Sequence, residues 1–465
     1  MTHDLIIIGA GPAGMAAAFT AASLGLKTVL LDEQPGAGGQ IYQNVTRADA
    51  NVAALLGPDY MHGRALADQL IRSAVEVRHG ALVWDVARDL TVTALQGTRS
   101  FELRAPQLIA ATGAMERASP LPGWTLPGVL NAGAAQIALK RAAAVPSVPV
   151  VLAGAGPLLL LVACQLLDAG VVVAGIVETS PSANRMVALR YLPAALAAPE
   201  YLLKGLRMMR RLRSAGIPWF TRATDLVVEG KAQTEALRFC SGGHSHRIEA
   251  GVVLLHHGVV PNTQLTRLLR VEHEWDDAQL AWSPRVNAWG QTSLAGFRVA
   301  GDGTSIAGAL AAEASGAIAA IGAAHALQRL SDTQRDQRAA PALRALARQL
   351  RIRPFLDALY RPPQWINTPS DETVVCRCEE VTAGRVREMA RLGCQGPNQT
   401  KFFSRCGMGP CQGRICGLGV TQILARELGK PPAEVGAYRI RAPLKPVPMS
   451  SLASIASTTH EGSMA

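Results

Sequence analysis

Five of the eight cysteines crowd into two short stretches near the C-terminus, CRCEE at 376–380 and SRCGMGPCQGRIC at 404–416. Cys376 and Cys378 make a C-x-C pair, Cys411 and Cys416 make a C-x4-C pair, and 32 residues separate the two. Four thiolates on two short loops suit either a tetrahedral zinc ion or a [2Fe–2S] cluster. The tight C-x-C and the wide C-x4-C are both less usual for zinc, whose paired ligands are commonly spaced C-x2-4-C. Glycines 407, 409, 413 and 417 leave backbone N–H groups free to approach inorganic sulfides, and such hydrogen bonds tune a cluster's potential. Cys406 also makes a C-x4-C with Cys411, so two overlapping pairs compete, one of them preceded by a β-like run, TKFFSR.

At the other end of the chain the chemistry is of a different kind. DLIIIGAGPAGMAAAFTAASLGLKTVLLDE strings together a run of β-formers, a GxGxxG at Gly9, Gly11 and Gly14, an Ala-rich helix, a capping Gly25 and a second strand ending in Asp32. This is a complete βαβ dinucleotide fingerprint. Gly9 allows the tight turn, Gly11 lets backbone approach a pyrophosphate and Gly14 lets helix and strand pack closely. The helix N-terminus then offers N–H groups and a favourable dipole to the phosphates, and Asp32 can accept ribose hydroxyls.

The pattern returns as PVVLAGAGPLLLLVACQLLDAGVVVAGIVE, with Gly154 for Gly9, Gly156 for Gly11 and Gly170 for Gly25. Two nucleotide-binding folds in one chain are therefore expected. Leu159 stands where Gly14 stood, and a large side chain there should push helix from strand, which speaks against a nicotinamide nucleotide in the second unit. The apolar span 148–170, long enough to be scanned as a membrane segment, is interrupted by Gly-Ala-Gly-Pro and is expected to be strand, loop and buried helix. Two further segments, LIAATGAMERASPLPG at 108–123 and GFRVAGDGTSIAGALAAEASGAIAAIGAAHAL at 296–327, each give a strand ending in a small-residue turn. Asp302, in the second of these, has a plainer reading as a turn aspartate capping the next helix.

From 1 to about 330 the chain resembles the flavoproteins with two dinucleotide-binding domains, in which an ATG and a GD segment at these places close the FAD site. VCRCEEVT followed by TKFFSRCGMGPCQGRIC resembles the bacterioferritin-associated-ferredoxin type of [2Fe–2S] domain. That domain ends the larger flavoprotein subunit of heteromeric amino- and imino-acid dehydrogenases: opine oxidase, hydrogen cyanide synthase, and proline or hydroxyproline dehydrogenase. GGQIY at 38–42, ERASPLPGWTLPGV at 116–129 and HHGVVPNTQL at 256–265 extend the likeness to about residue 430. The resemblance implies FAD held by Gly9, Gly11, Pro12, Ala13, Gly14, Asp32, Glu33, Gly39, Gln40, Thr112, Gly113, Gly301 and Asp302. By the same resemblance Asp302 bonds the flavin's ribityl and pyrophosphate region. A [2Fe–2S] cluster would be held by Cys376, Cys378, Cys411 and Cys416, because the 32-residue interval fits that domain, whereas pairing Cys406 with Cys411 shortens it to 27.

The expected fold is α/β: two Rossmann-like domains of the disulfide-reductase-like type and a small C-terminal cluster domain. The expected division is 1–145 and 256–330 for the FAD domain, 146–255 for the second Rossmann-like domain, 331–370 for a bridge, 371–430 for the cluster and 431–465 for a tail whose last part is disordered. A zinc-stapled domain is the alternative for the cysteines.

The expected function is that of an FAD- and [2Fe–2S]-containing electron-transfer subunit in an oxidoreductase acting on a secondary amine, opine or imino acid. No acid–base constellation for oxidising a substrate stands out, so the implied partner is a smaller amino-acid-oxidase-like flavoprotein, with a second flavin, FMN, as a further expectation at their interface. The rivals are a self-contained NAD(P)H-dependent reductase and a non-catalytic assembly subunit. Cys164 and Cys240 lack close sequence partners, which disfavours disulfide reduction. His256 and His257 end a strand-like run and are expected to be structural.

Charge excludes less than it suggests. The net charge is +11, yet the densest basic run, KGLRMMRRLR at 204–213, mixes charge with apolar residues at helical spacing, and aromatics are only 5%. A solvated helix face is expected there, with no nucleic-acid partner. Asp4 interrupts any signal-peptide core, so no transmembrane or secretory segment is expected. A cytoplasmic place, with peripheral contact to a membrane left open, would keep the thiols reduced.

Overall fold

The computed structural model describes residues 3–461, with side chains described to residue 455. Its first sheet has five parallel strands in the order Phe297–Val299, Gln107–Ala110, Leu5–Ile8, Thr28–Asp32 and Glu76–His79. The central strand, LIII, is buried along its whole length, as a parallel strand covered on both faces must be. Ile8 lies opposite Leu31 on one side and Ala110 on the other, so Gly9, Asp32 and Ala111 emerge together at one sheet edge. Pro12 opens the helix Pro12–Ser23, where its missing N–H costs nothing. That helix packs against Ala309–Ala326 so closely that a side-chain carbon on Gly316 would lie 2.0 Å from the Ala13 carbonyl oxygen. Among the described residues Ala309–Ala326 is the one helix long and apolar enough to cross a membrane, and most of it is buried inside the fold.

The second sheet is also parallel and five-stranded, ordered Trp219–Phe220, Val173–Glu178, Val150–Gly154, Val252–His256 and Val129–Asn131. The span 148–170 resolves into the strand Val150–Gly154 and the helix Pro157–Asp168. The strand Val129–Asn131 and the helix Ala132–Ala142 join this sheet, so the expected boundary at 146 falls inside the second unit. A three-residue strand straight after Pro127-Gly128 has no periodicity to announce it. Two antiparallel three-stranded sheets, within 81–104 and 224–249, complete the two units. The basic run lies in the exposed helix Pro199–Ser214, where Leu212 alone is buried.

Beyond 330, Ser331 and Gln334 form a capping box on the helix Asp332–Leu350. The cysteine module then combines a short hairpin, Val374–Cys376 with Val381–Thr382, and the helices Ala383–Arg391, Pro397–Ser404 and Gly417–Leu428. TKFFSR is mostly helical rather than β-like, because Pro397 starts a helix that carries through to Ser404. The expected tail is also corrected. Tyr438, Ile440 and Leu444 are buried in one core with Cys376, Cys406 and Cys416, so the module continues past 430. The expected disorder gives way to a helix, Met449–Glu461, resting against the strand Arg99–Arg104. The part of that expectation concerning 462–465 lies outside the described residues.

Candidate functional site

At the edge of the first sheet the loops named by sequence converge. Gly9 has φ +102°, and a Cβ there would lie 2.5 Å from the Ala111 carbonyl oxygen; on Gly14 it would lie 1.7 Å from the Gly9 oxygen. The loop at Gly39 presses on Gly11, where an added carbon would sit 2.8 Å from the Gly11 Cα. Gly301 abuts Ala13, and Gly303 faces Thr112 and Gly113. Bare backbone lining a helix N-terminus is a cradle for a dinucleotide pyrophosphate, so these residues fit FAD. Asp32 is buried; its carboxylate accepts N–H bonds from Ala10 and from Gln34, the latter at 2.7 Å. Burial pushes its pKa up while those two amides pull the other way. Glu33 points instead to the surface and pairs with Lys445. Asp302 Oδ1 accepts from the amides of Ala307 (2.9 Å) and Gly308 (3.1 Å), so this carboxylate organises the loop before its helix, and burial raises its pKa.

The second glycine loop is built differently. Gly154 aligns with Glu178 and His256 across the sheet. Leu159 is buried in one apolar cluster with Val150, Leu152 and Ala135, and the helix Pro157–Asp168 still packs on the strand Val150–Gly154. The His256 ring lies against the loop, its Nε2 3.2 Å from where a Gly156 Cβ would stand. Glu116 holds that ring through Nδ1 at 2.6 Å, while its other oxygen accepts from the Gly133 amide at 2.9 Å. His256 thus sits in the crevice between the first and returning strands, the place where a doubly wound sheet receives a ligand. His257 is structural: Ser119 Oγ lies 2.8 Å from Nδ1 and Thr179 Oγ1 3.1 Å from Nε2. Its burial lowers its pKa to about 3.

Three buried sulfurs, those of Cys376, Cys406 and Cys416, lie within 4.8 Å of one another. Cys378, exposed, and Cys411, half-buried, meet at the rim, where the Cys411 amide donates to the Cys378 sulfur. Hydrogen bonds from the Cys406 and Cys416 thiols, in that order, draw the Cys376 pKa far down, and the Gly407 amide adds a contact at 3.5 Å. The same sharing pushes Cys406 up to about 12. Spacing set Cys406 aside, but the fold gives it the same access to Cys376 as Cys416 has. The signal was the second, overlapping C-x4-C. Three buried sulfurs together, with two more cysteines at the rim, are the donor set of a thiophilic metal centre. The four glycines have another explanation than access to sulfides. Carbons on 407, 413 and 417 would run into the Tyr438 ring, and one on 409 into the Cys378 Cβ at 2.2 Å.

The cysteine pocket opens onto the second unit. A cavity of about 250 Å³ is lined by Cys376, Cys378, Cys411 and Cys416 on one side and by Glu116 and Trp124 on the other. Trp124 Nε1 donates to the Val374 carbonyl at 2.6 Å, and Arg377 stacks on its ring at 5.1 Å.

Residues 3–320 match the pyridine nucleotide-disulphide oxidoreductase family, and 370–456 match the sarcosine oxidase A3 domain. The chain is 45% identical over 467 residues to an opine oxidase subunit of Rhizobium meliloti, covering 98% of this chain and 88% of that one. The chain belongs to this family of flavoprotein oxidoreductases. Hydrogen cyanide synthase subunit HcnB of Pseudomonas protegens is 35% identical, with 97% of each chain covered. An L-proline dehydrogenase from P. horikoshii shares the fold at 18% identity, with a TM-score of 0.70 over 97% of this chain and 79% of that one.

In this flavoprotein one more buried charge was not legible from the sequence. Lys140 Nζ donates to the Gln40 carbonyl (3.1 Å) and to Gln136 Oε1 (2.9 Å), tying the second unit's first helix to the GGQ loop. Burial lowers its pKa to about 7. Its only sequence signal was a lysine on the apolar face of AGAAQIALK. Cys164 is buried in its helix and Cys240 lies on a strand, so neither forms a redox pair beside the first glycine loop.

Proposed function

We propose that the chain is the FAD- and [2Fe–2S]-carrying electron-transfer subunit of a heteromeric dehydrogenase that oxidises a secondary amine, opine or imino acid. The observation that carries the reading is the convergence of five cysteines beside a flavoprotein fold, with the cysteine cavity opening onto the second unit. The bound groups supply two-electron acceptance at a flavin and one-electron transfer at an iron–sulfur centre. Gly11, Gly39 and the helix at Pro12 receive the pyrophosphate, Asp32 the ribose, and the turns at Thr112-Gly113 and Gly301-Asp302 close over the remainder. Cys376, Cys378 and Cys411 hold the metal. We take Cys406 as the fourth ligand in place of Cys416, because one loop, 406–411, then wraps both members of the C-x-C. The Gly407 amide already reaches the Cys376 sulfur and Gly409 packs on Cys378.

Amine oxidation itself is assigned to a smaller flavoprotein partner, with FMN at the interface between the two. The reading is favoured over NAD(P)H-dependent reduction by the imidazole of His256, which lies where a nicotinamide dinucleotide would place its phosphates. Anaerobic stopped flow tests this: neither NADH nor NADPH should reduce the flavin rapidly, and an amine or imino acid should do so only with the partner present. Rapid reduction by NADPH in the chain alone would overturn it.

A further inference from the structure

Tyr438 is 4% exposed and is wrapped by the cysteine loops. A carbon added to Gly407 would lie 2.6 Å from its Cζ, one on Gly413 2.3 Å from its Cδ2 and one on Gly417 3.1 Å from its Cδ2. Three glycines are therefore spent on one ring, and Gly407 and Gly413 also carry φ values of +85° and +74°. The Lys401 ammonium stands 5.4 Å from the ring centre. The hydroxyl end lies on the Gly407 side, next to Cys406. That hydroxyl is buried and has no satisfied hydrogen bond among the described residues; the polar group it faces is the Cys406 thiol. A buried phenol O–H finds a partner in nearly every folded protein. Packing alone would have been met by phenylalanine, so the orphaned oxygen marks a donor aimed at something electron-rich.

We propose that Tyr438 is a positioning residue for the iron–sulfur centre, its hydroxyl donating a hydrogen bond to the Cys406 sulfur when that sulfur ligates iron. The inference rests on the cluster reading and on Cys406 as ligand. Reduction adds one negative charge to such a centre, and a hydrogen bond to a ligand sulfur favours the more negative state, raising the reduction potential. Tyr438→Phe removes one oxygen and keeps the ring that fills the glycine-lined slot. Iron content and thermal midpoint should stay at the wild-type level. In a redox titration followed by electron paramagnetic resonance, the ratio of reduced to oxidised cluster at fixed potential should fall by roughly three- to tenfold, a tenfold change being about 59 mV for one electron. A strongly coupled exchangeable deuteron, seen in the wild type after transfer to deuterated buffer, should disappear. Fluorinated tyrosine at 438, a stronger donor of nearly the same shape, should shift the ratio the opposite way. Full iron loading with an unmoved potential and unchanged deuteron coupling would overturn the role of Tyr438 and leave the cluster standing. Wild-type protein holding zinc and no iron would overturn both.

Discussion

Gly316 and Gly205 are both glycines in helix interiors, and the structure assigns opposite signs to replacing them by alanine. Helix propensity alone predicts a gain of about 1 kcal/mol at each. Around Gly205, in the exposed helix Pro199–Ser214, an added Cβ meets nothing within 4 Å. Gly205→Ala should therefore stabilise by about 0.5–1 kcal/mol. At Gly316 the same carbon would lie 2.0 Å from the Ala13 oxygen and 2.8 Å from its carbonyl carbon, where ordinary contact begins at 3.4 Å. The two helices must part by more than an ångström, and overpacking of that kind costs about 1–3 kcal/mol and occasionally more. Since Ala13 lies in the first turn of the helix assigned to the pyrophosphate, the displacement also reaches the flavin site. Gly316→Ala should lower the thermal midpoint and release flavin at lower temperature, read by flavin fluorescence during heating. Equal stabilisation by both substitutions, with flavin retained, would refute the close approach of Pro12–Ser23 to Ala309–Ala326.

Asp32→Ala should weaken FAD retention by roughly 1.5–3 kcal/mol, the worth of a charge-assisted hydrogen bond, measured by reconstitution of the apoprotein. Cys406→Ser should lose or markedly alter the reduced cluster's electron paramagnetic resonance signal, whereas Cys416→Ser should keep it; the reverse pattern would return Cys416 to the ligand set. His257 and His273 both have pKa values lowered by burial from 6.5 to about 3. Between these limits the unfolded chain binds protons that the folded chain refuses, so stability is lost as pH falls from about 6.5 towards 3, by on the order of a few kcal/mol for each histidine. His257→Gln, which cannot titrate, should be less stable at neutral pH yet show a flatter fall over that window in chemical unfolding.

The first glycine loop was legible because each element carries its own local rule. β-Formers, GxGxxG, proline at the helix start and a terminal acid form one continuous segment, and the fold closes on it at Gly9, Gly14 and Asp32. Cysteine clustering was equally plain, but ligand choice was not, since overlapping C-x4-C pairs differ only in how a loop folds back. Packing at that loop depends on Tyr438, which lies beyond the stretch where the cysteines end. His256 and Glu116 come from segments far apart in sequence and meet because the strand Ala114–Glu116 pairs antiparallel with Val259–Pro261, which follows His256. Glu33 looked as eligible as Asp32, but the strand ends at Asp32, which stays buried, while Glu33 falls in the turn beyond it and pairs with Lys445 at the surface.

A chain that carries both a two-electron flavin and a one-electron iron–sulfur centre has a distinct electron count. Anaerobic titration of the purified chain with dithionite, followed by visible absorbance and electron paramagnetic resonance, should show uptake of about three electrons per chain. Flavin bleaching should accompany a reduced-cluster signal that integrates to about one spin. Uptake of about two electrons, with no such signal and zinc in place of iron, would contradict the pairing of the two centres in one chain.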